Sequence, residues 1–173
     1  MLQLIRAWFE ICLLRRAPQD LPASGYLLGI SLCCYGLVSV LVSSQSYTFG
    51  MALLLTVVDL GLLVIFAWSL LYLQSKTARL NQTLSALAGT GSLMGLIALP
   101  LLLTIAPDAG TTDPVPASLQ SLWLLLLLWN LFIMAHIIRH ALSSSFAIGF
   151  GISLLYALLN MQVIVTLFSS QVV

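Results

Sequence analysis

The sequence predicts an all-α polytopic membrane helical bundle: five transmembrane helices preceded by an interfacial amphipathic helix. Three observations carry this. Of the 173 residues, 61% are apolar and only 6% charged, with a mean hydropathy of +1.11, whereas soluble domains are near a quarter charged. Apolar runs of about 20 residues, the length that crosses hydrocarbon as a helix, recur from end to end. The polar breaks between them sort their charges, with the cations at alternate breaks.

Residues 1–19 form the interfacial element. Leu2, Ile5, Phe9, Cys12 and Leu13 follow the helical period and give an apolar face. Arg6, Glu10, Arg15 and Arg16 lie mostly elsewhere, Arg6 can pair with Glu10 one turn on, and Trp8 is expected at headgroup depth. The stretch, read as a helix over 2–16, is too short and too charged to span. Pro18 is expected to end it. Its positive charge follows the apolar run, opposite to the order in a cleavable signal peptide.

Residues 20–173 form a single transmembrane domain. The first span, about 24–43, is uncharged, with Ser24 a candidate N-cap. The second, about 49–73, holds Asp59 and approaches its inner end at Trp68 and Tyr72. The third, about 83–106, is rich in small residues and contains Pro100, where a kink is expected. A loop with Asp108, Gly110, Asp113, Pro114 and Pro116 follows. The fourth span, about 119–140, carries Asn130, His136, Arg139 and His140. Ser143 to Ser145 make a tight turn into the fifth, about 146–168.

With the N-terminus cytoplasmic, all six cations (Arg6, Arg15, Arg16, Lys76, Arg79 and Arg139) fall inside. The acidic loop and the C-terminus fall outside, on the periplasmic face of a bacterial inner membrane. This is the bias that sets topology.

Asp59 is the sharpest chemical feature. A carboxyl near the middle of a span is costly unless it is hydrogen-bonded or paired and faces the bundle interior. Asn130, Tyr156 and Asn160 lie at similar depth. Each would leave polar atoms unsatisfied in hydrocarbon, so the four are expected to form one intramembrane cluster. That clustering admits a proton or cation relay and equally a hydrogen-bonded lock between helices. Gly149, Ser153, Tyr156 and Asn160 fall on one face, which is expected to look inward.

His136, Arg139 and His140 share one side of the fourth span near its inner end. With Arg15 and Arg16 they are read as contacts for anionic lipid or a partner at the inner face. Two histidines four apart lack the further ligands a metal site needs, and Cys12, Cys33 and Cys34 have no matching spacing, so neither metal nor cofactor is expected. Gly91 and Gly95 form a GxxxG pattern. Gly151, four residues after Ala147, is read as a further close-packing position. No phosphate loop or nucleophile motif occurs. The scattered cations form no patch for nucleic acid. The proline-bounded elbow after Arg16 reads as an anchor for the first span or as a docking surface.

The whole-chain pattern, with Arg15-Arg-Ala-Pro-Gln-Asp-Leu-Pro22 just before the first span, resembles the bacterial branch of the Yip1-like five-span membrane proteins. The resemblance covers nearly the whole chain. It implies a five-span bundle with a cytoplasmic N-terminus. The Asp-Leu-Tyr-Gly-type element of eukaryotic members is reduced to Asp20-Leu21, so no vesicle-traffic role is implied. The function expected is a non-enzymatic membrane subunit or scaffold of a larger membrane complex, in contact with the bilayer and with a membrane-protein partner or a second copy. The alternative is a small oligomeric transporter or proton/ion-coupling protein working through Asp59.

Overall fold

The computed structural model describes residues 2–105 and 116–168; the loop residues Asp108, Gly110, Asp113 and Pro114, and the C-terminal residues 169–173, lie outside it. Described are helices α1 (Leu2–Cys12), α2 (Gly25–Ser43), α3 (Phe49–Leu73), α4 (Leu80–Ile105), α5 (Ala117–Leu142) and α6 (Phe146–Phe168), with single 3-10 turns at Pro18–Asp20 and Thr77–Arg79. Helices α2 to α6 are long and apolar enough to cross a membrane. The protein is an all-α helical bundle of the multi-pass membrane class.

Helix α4 is the spine. In its spanning window 44% of residues are buried, against 11 to 28% in the other four spans. The cause is its small-residue face: Ser85, Ala86 and Ala88 are fully buried, with Thr90 and Ser92 nearly so. Small side chains let neighbouring backbones come close where water supplies no force to drive helices together. Along one side of α4, Gly91 lies under the Tyr35 ring and Gly95 under Val38. A Cβ at either glycine would stand 2.6 Å from the α2 side chain. On its other sides α4 meets α1, α3 and α5. Helix α3 also packs on α2, where Gly36 touches Leu60 and the Thr56 hydroxyl donates to Ser39 Oγ at 3.3 Å. Helix α6 packs along α5. Its close approach falls at Gly149, where a Cβ would meet the Ala135 carbonyl at 2.5 Å; Gly151, expected to pack, faces open space. Helix α4 starts at Leu80, three residues before the expected boundary, and runs through Pro100.

Three helices end in the same way. Leu14, Ser75 and Ser143 adopt positive φ of 60°, 55° and 52°. Each closes a Schellman pair: Arg15 N–H to Glu10 O with Leu14 N–H to Ile11 O, Lys76 to Leu71 with Ser75 to Tyr72, and Ser144 to Arg139 with Ser143 to His140. This is why α1 stops at Cys12, well before Pro18. Ser24 takes the N-cap position of α2, but its hydroxyl makes no capping bond.

Helix α1 has three arcs. Ala7, Trp8, Ile11 and Cys12 are buried in the bundle. Ile5 and Phe9 are exposed apolar residues at 50% and 53%, and Gln3, Arg6 and Glu10 form a polar arc. Arg6 pairs with Glu10 at 3.0 Å. Trp8, expected at headgroup depth, is turned into the bundle. It is 4% exposed and lies over Gly89 of α4, where a Cβ would stand 2.2 Å from its ring. The Trp129 indole N–H donates to the Cys12 carbonyl at 3.0 Å, satisfying one of the orphan acceptors at the end of α1. Trp129 is in the middle of α5, so α1 reaches into the bundle and the chain then returns along α5. Its Arg16 carbonyl accepts from His136, and its Gln19 side chain donates to the His140 carbonyl.

Burial pushes the Cys12 thiol up to about 11. The thiolate is the nucleophile, so a neutral thiol persists below that pH. With Cys33 and Cys34 changed to Ala, maleimide alkylation of Cys12 at pH 8 is expected to be about 100-fold slower than for an accessible thiol of ordinary pKa. The rate should climb toward pH 11. Fast alkylation at pH 8 would show that α1 is not packed into the bundle.

Candidate functional site: an intramembrane carboxyl and a cationic helix end

Asp59 is the eleventh residue of the 25 in α3, so about 15 Å of helix precedes it and about 21 Å follows. Its two oxygens are each held by a donor from another helix. The Tyr35 hydroxyl of α2 donates to Asp59 Oδ2 at 2.6 Å, and the Asn160 amide of α6 donates to Asp59 Oδ1 at 2.7 Å. One side chain therefore ties three helices. Among the described residues no cation takes part in this group.

Of the four residues expected to cluster, Asp59 and Asn160 bond directly. Tyr156 is 8% exposed and stacks at a tilt on Phe66, with ring centroids 4.7 Å apart. Its buried hydroxyl completes no hydrogen bond among the described residues. Asn130 is not buried; it is exposed and bonds to none of the other three among the described residues. The reason is a cavity of about 460 Å³ between α5 and α6, with Tyr35, Asp59, Asn130, Tyr156 and Asn160 on its wall among leucine and methionine side chains. Asn130 stands at this opening. Tyr35, Asn130, Met134 and Tyr156 also line a smaller void of about 60 Å³ that reaches Thr90 and Gly91 of α4.

Tyr35 is the member that reading by residue type alone misses. The available signal was its depth: it is the eleventh of 19 residues in α2, level with the middle of a neighbouring span. A phenol there needs a partner for its O–H.

The second polar region is at the other end of α5. Its last carbonyls are capped by side chains from two distant segments. Arg79 Nη1 donates to the His140 and Ala141 carbonyls at 3.3 and 3.1 Å and to Ser143 Oγ at 2.8 Å. Lys76 Nζ donates to the Leu142 carbonyl, and Gln19 Nε2 to the His140 carbonyl at 2.7 Å. Cations at a helix C-terminus satisfy the free carbonyls and oppose the negative end of the helix dipole. Lys76 and Arg79, legible in the sequence only as topology markers, thus fasten the α3–α4 turn to the end of α5.

The residues read as inner-face contacts divide. His136 is 3% exposed, enclosed by the chain itself. Its Nε2–H donates to the Arg16 carbonyl at 3.1 Å, and His140 meets its ring edge-on with centroids 4.6 Å apart. Arg16 is turned back onto the chain, bonding Glu10 at 3.5 Å and the Asp20 carbonyl at 3.2 Å. Arg15 is exposed. Arg139 and His140 border a polar cavity of about 380 Å³ with Gln19, Ser143 and Ser144. A larger cavity of about 680 Å³ lies between α1, the elbow and the start of α2. Of its charged side chains, Arg6 and Arg16 both pair with Glu10, and Asp20 accepts the Ala17 N–H.

No protein family, curated protein or solved structure matches this chain. What the fold defines is a class, the multi-pass α-helical membrane protein.

Asp59 and Asn160 should couple measurably. In a double-mutant cycle of Asp59→Leu and Asn160→Leu, read as unfolding in detergent, we expect a coupling energy of about 1–2 kcal/mol, at the upper end for polar pairs in membrane bundles. Additive effects would mean the bond contributes nothing to closing α6 onto α3.

Proposed function

We propose that this chain is a non-enzymatic membrane protein that couples a proton or small cation to an intramembrane site centred on Asp59. The carrying observation is a carboxyl in the middle of a span, held among the described residues by two neutral donors and facing a cavity. An ionised carboxylate accepts about four hydrogen bonds, and two are made here. The remaining positions are open to a proton or a cation.

Tyr35 gives the step a route. A phenol both donates and accepts. When a proton arrives at Asp59 Oδ2, the Tyr35 hydroxyl turns its hydrogen away and accepts from the new acid O–H. It then donates into the cavity that holds Tyr156 and Asn130. Asn160 keeps its bond to Oδ1 throughout, so α6 stays tied to α3 in both states. The reading includes a cytoplasmic N-terminus, which the gathering of Lys76, Arg79 and Arg139 at one end supports. It also includes kinship with the bacterial Yip1-like proteins, which the span number and the Arg15–Pro22 elbow support.

The test is flux in liposomes of the purified protein loaded with a pH-sensitive dye. Under an imposed potential the wild type should carry protons or a small cation, and Asp59→Asn should lower the rate at least tenfold while remaining monodisperse. Equal rates in the two proteins, or none above empty liposomes in the wild type, would sink the proposal.

A second reading, a subunit of a larger membrane complex, has its own observation. On α2, Gly25, Gly29 and Cys33 are exposed at helical spacing, and both glycines face open space. A partner span can approach closely there. Pull-down in mild detergent should then bring one membrane protein at fixed stoichiometry, and Gly29→Leu should release it while the bundle stays folded. Absence of any stoichiometric partner would rule this reading out.

A further inference from the structure

The turn between α5 and α6 has the makings of an anion site, and what sets it apart is which groups are left over. At a helix C-terminus an arginine commonly bonds the last carbonyls. Here those carbonyls are already taken. His140, Ala141 and Leu142 accept from Arg79, Lys76 and Gln19, and the Arg139 carbonyl accepts the Ser144 N–H. Arg139 is released from that duty. Among the described residues no carboxylate lies within ion-pair range of it, and its buried Nε–H has no acceptor. The buried Ser144 hydroxyl is likewise without a partner.

Both unpartnered groups belong to residues that line the same cavity of about 380 Å³. Ser143 lines it too. Its oxygen accepts from Arg79, so its own O–H remains free to donate. Arg139 is held in place. Its stem lies against Gly149, where α6 crosses closely, and its guanidinium stands 5.7 Å from the centre of the Phe146 ring. Asp20 accepts the Ala17 N–H at 3.1 Å and does not line the cavity. Lys76 and Arg79 add positive potential from behind. The lining offers donors and positive charge and no carboxylate.

We infer that this cavity binds a phosphate group through Arg139, Ser143 and Ser144. A guanidinium fork matches phosphate oxygens in pairs, and the two hydroxyls add donors from a second direction. The site lies at the end of the spans, where the phosphodiester of an anionic lipid is available, and free phosphate presents the same chemistry. The inference stands apart from the Asp59 reading, because the two sites share no residue.

The experiment is native mass spectrometry of the full chain from mild detergent, incubated with phosphatidylglycerol, with phosphatidylcholine or with inorganic phosphate. The wild type should retain phosphatidylglycerol over phosphatidylcholine, or should retain phosphate itself. Arg139→Gln should lower retention about tenfold, as loss of a charge-assisted bond does. Ser144→Ala should lower it several-fold, and Arg6→Gln, at the other cavity, should leave it unchanged. Retained lipid that millimolar phosphate fails to displace identifies the headgroup as the source; retention of phosphate without lipid preference identifies the free ion. Ser144→Ala removes a single oxygen and leaves the rest of the turn intact, so it decides the matter even where Arg139→Gln does not fold. Retention unaffected by either substitution, or lowered as much by Arg6→Gln, overturns the assignment.

Discussion

Hydrocarbon offers no hydrogen bond, so a polar atom between the ends of these helices is satisfied only by a partner inside the protein, and most here find one, the Ser85 and Tyr156 hydroxyls being exceptions. Much of the structure follows from that. Ser31, Thr90, Ser92 and Ser153 turn their hydroxyls onto carbonyls three or four residues back in their own helices. They are thereby satisfied without a neighbour, and their small size is left free to serve packing. A carboxyl has no such option, because it carries two acceptors and its own helix has no spare donors in mid-span. Asp59 therefore reaches across to α2 and α6. The bundle closes α3 against α6 where Asn160 meets that need, and the Phe66 and Tyr156 rings pack between the same two helices. The same constraint governs the ends of elements. Helix α1 can reach into the bundle only because Leu13, Leu14, Arg15 and Trp129 supply donors for its last carbonyls.

Packing follows a second rule, set by side-chain volume. With no hydrophobic force between helices in lipid, they associate where backbones come closest. The run from Ser85 to Gly95 provides such a place on every side of α4. Trp8 takes the position over Gly89, Tyr35 that over Gly91 and Val38 that over Gly95. A large ring against a glycine is the complementary pairing that fills space without strain. This is also how Tyr35 comes to serve two purposes: its ring is seated by Gly91, and that seat aims the hydroxyl at Asp59.

The long elements were legible in the sequence because composition and length decide them. All of α2, α3 and α6 begin and end within a residue of the expected spans. Asp59 and Asn160 were legible as partners because depth, counted from the ends of each span, is a coordinate in a membrane. Asn130 shares that depth but stands on the wall of the gap between α5 and α6, and depth does not say which way a helix is turned. The fate of Trp8 was hidden for a related reason. Around α1 the buried arc and the exposed apolar arc join, and hydrophobic periodicity cannot tell which part meets protein and which lipid. Gly149 and Gly151 differ likewise only by rotation of about 200° on one helix. The caps on α5 were hidden by distance, since Gln19, Lys76 and Arg79 are far in sequence from the carbonyls they bond.

The two polar regions are electrostatic opposites, and their separation gives the bundle its asymmetry. One carboxyl stands in mid-span among neutral donors. Several cations gather at one end, and there Lys76 and Arg79 neutralise the C-terminus of α5. With the last carbonyls of α5 bonded by Lys76 and Arg79, the contact that fastens the α3–α4 turn leaves the Arg139 donors uncommitted to those carbonyls.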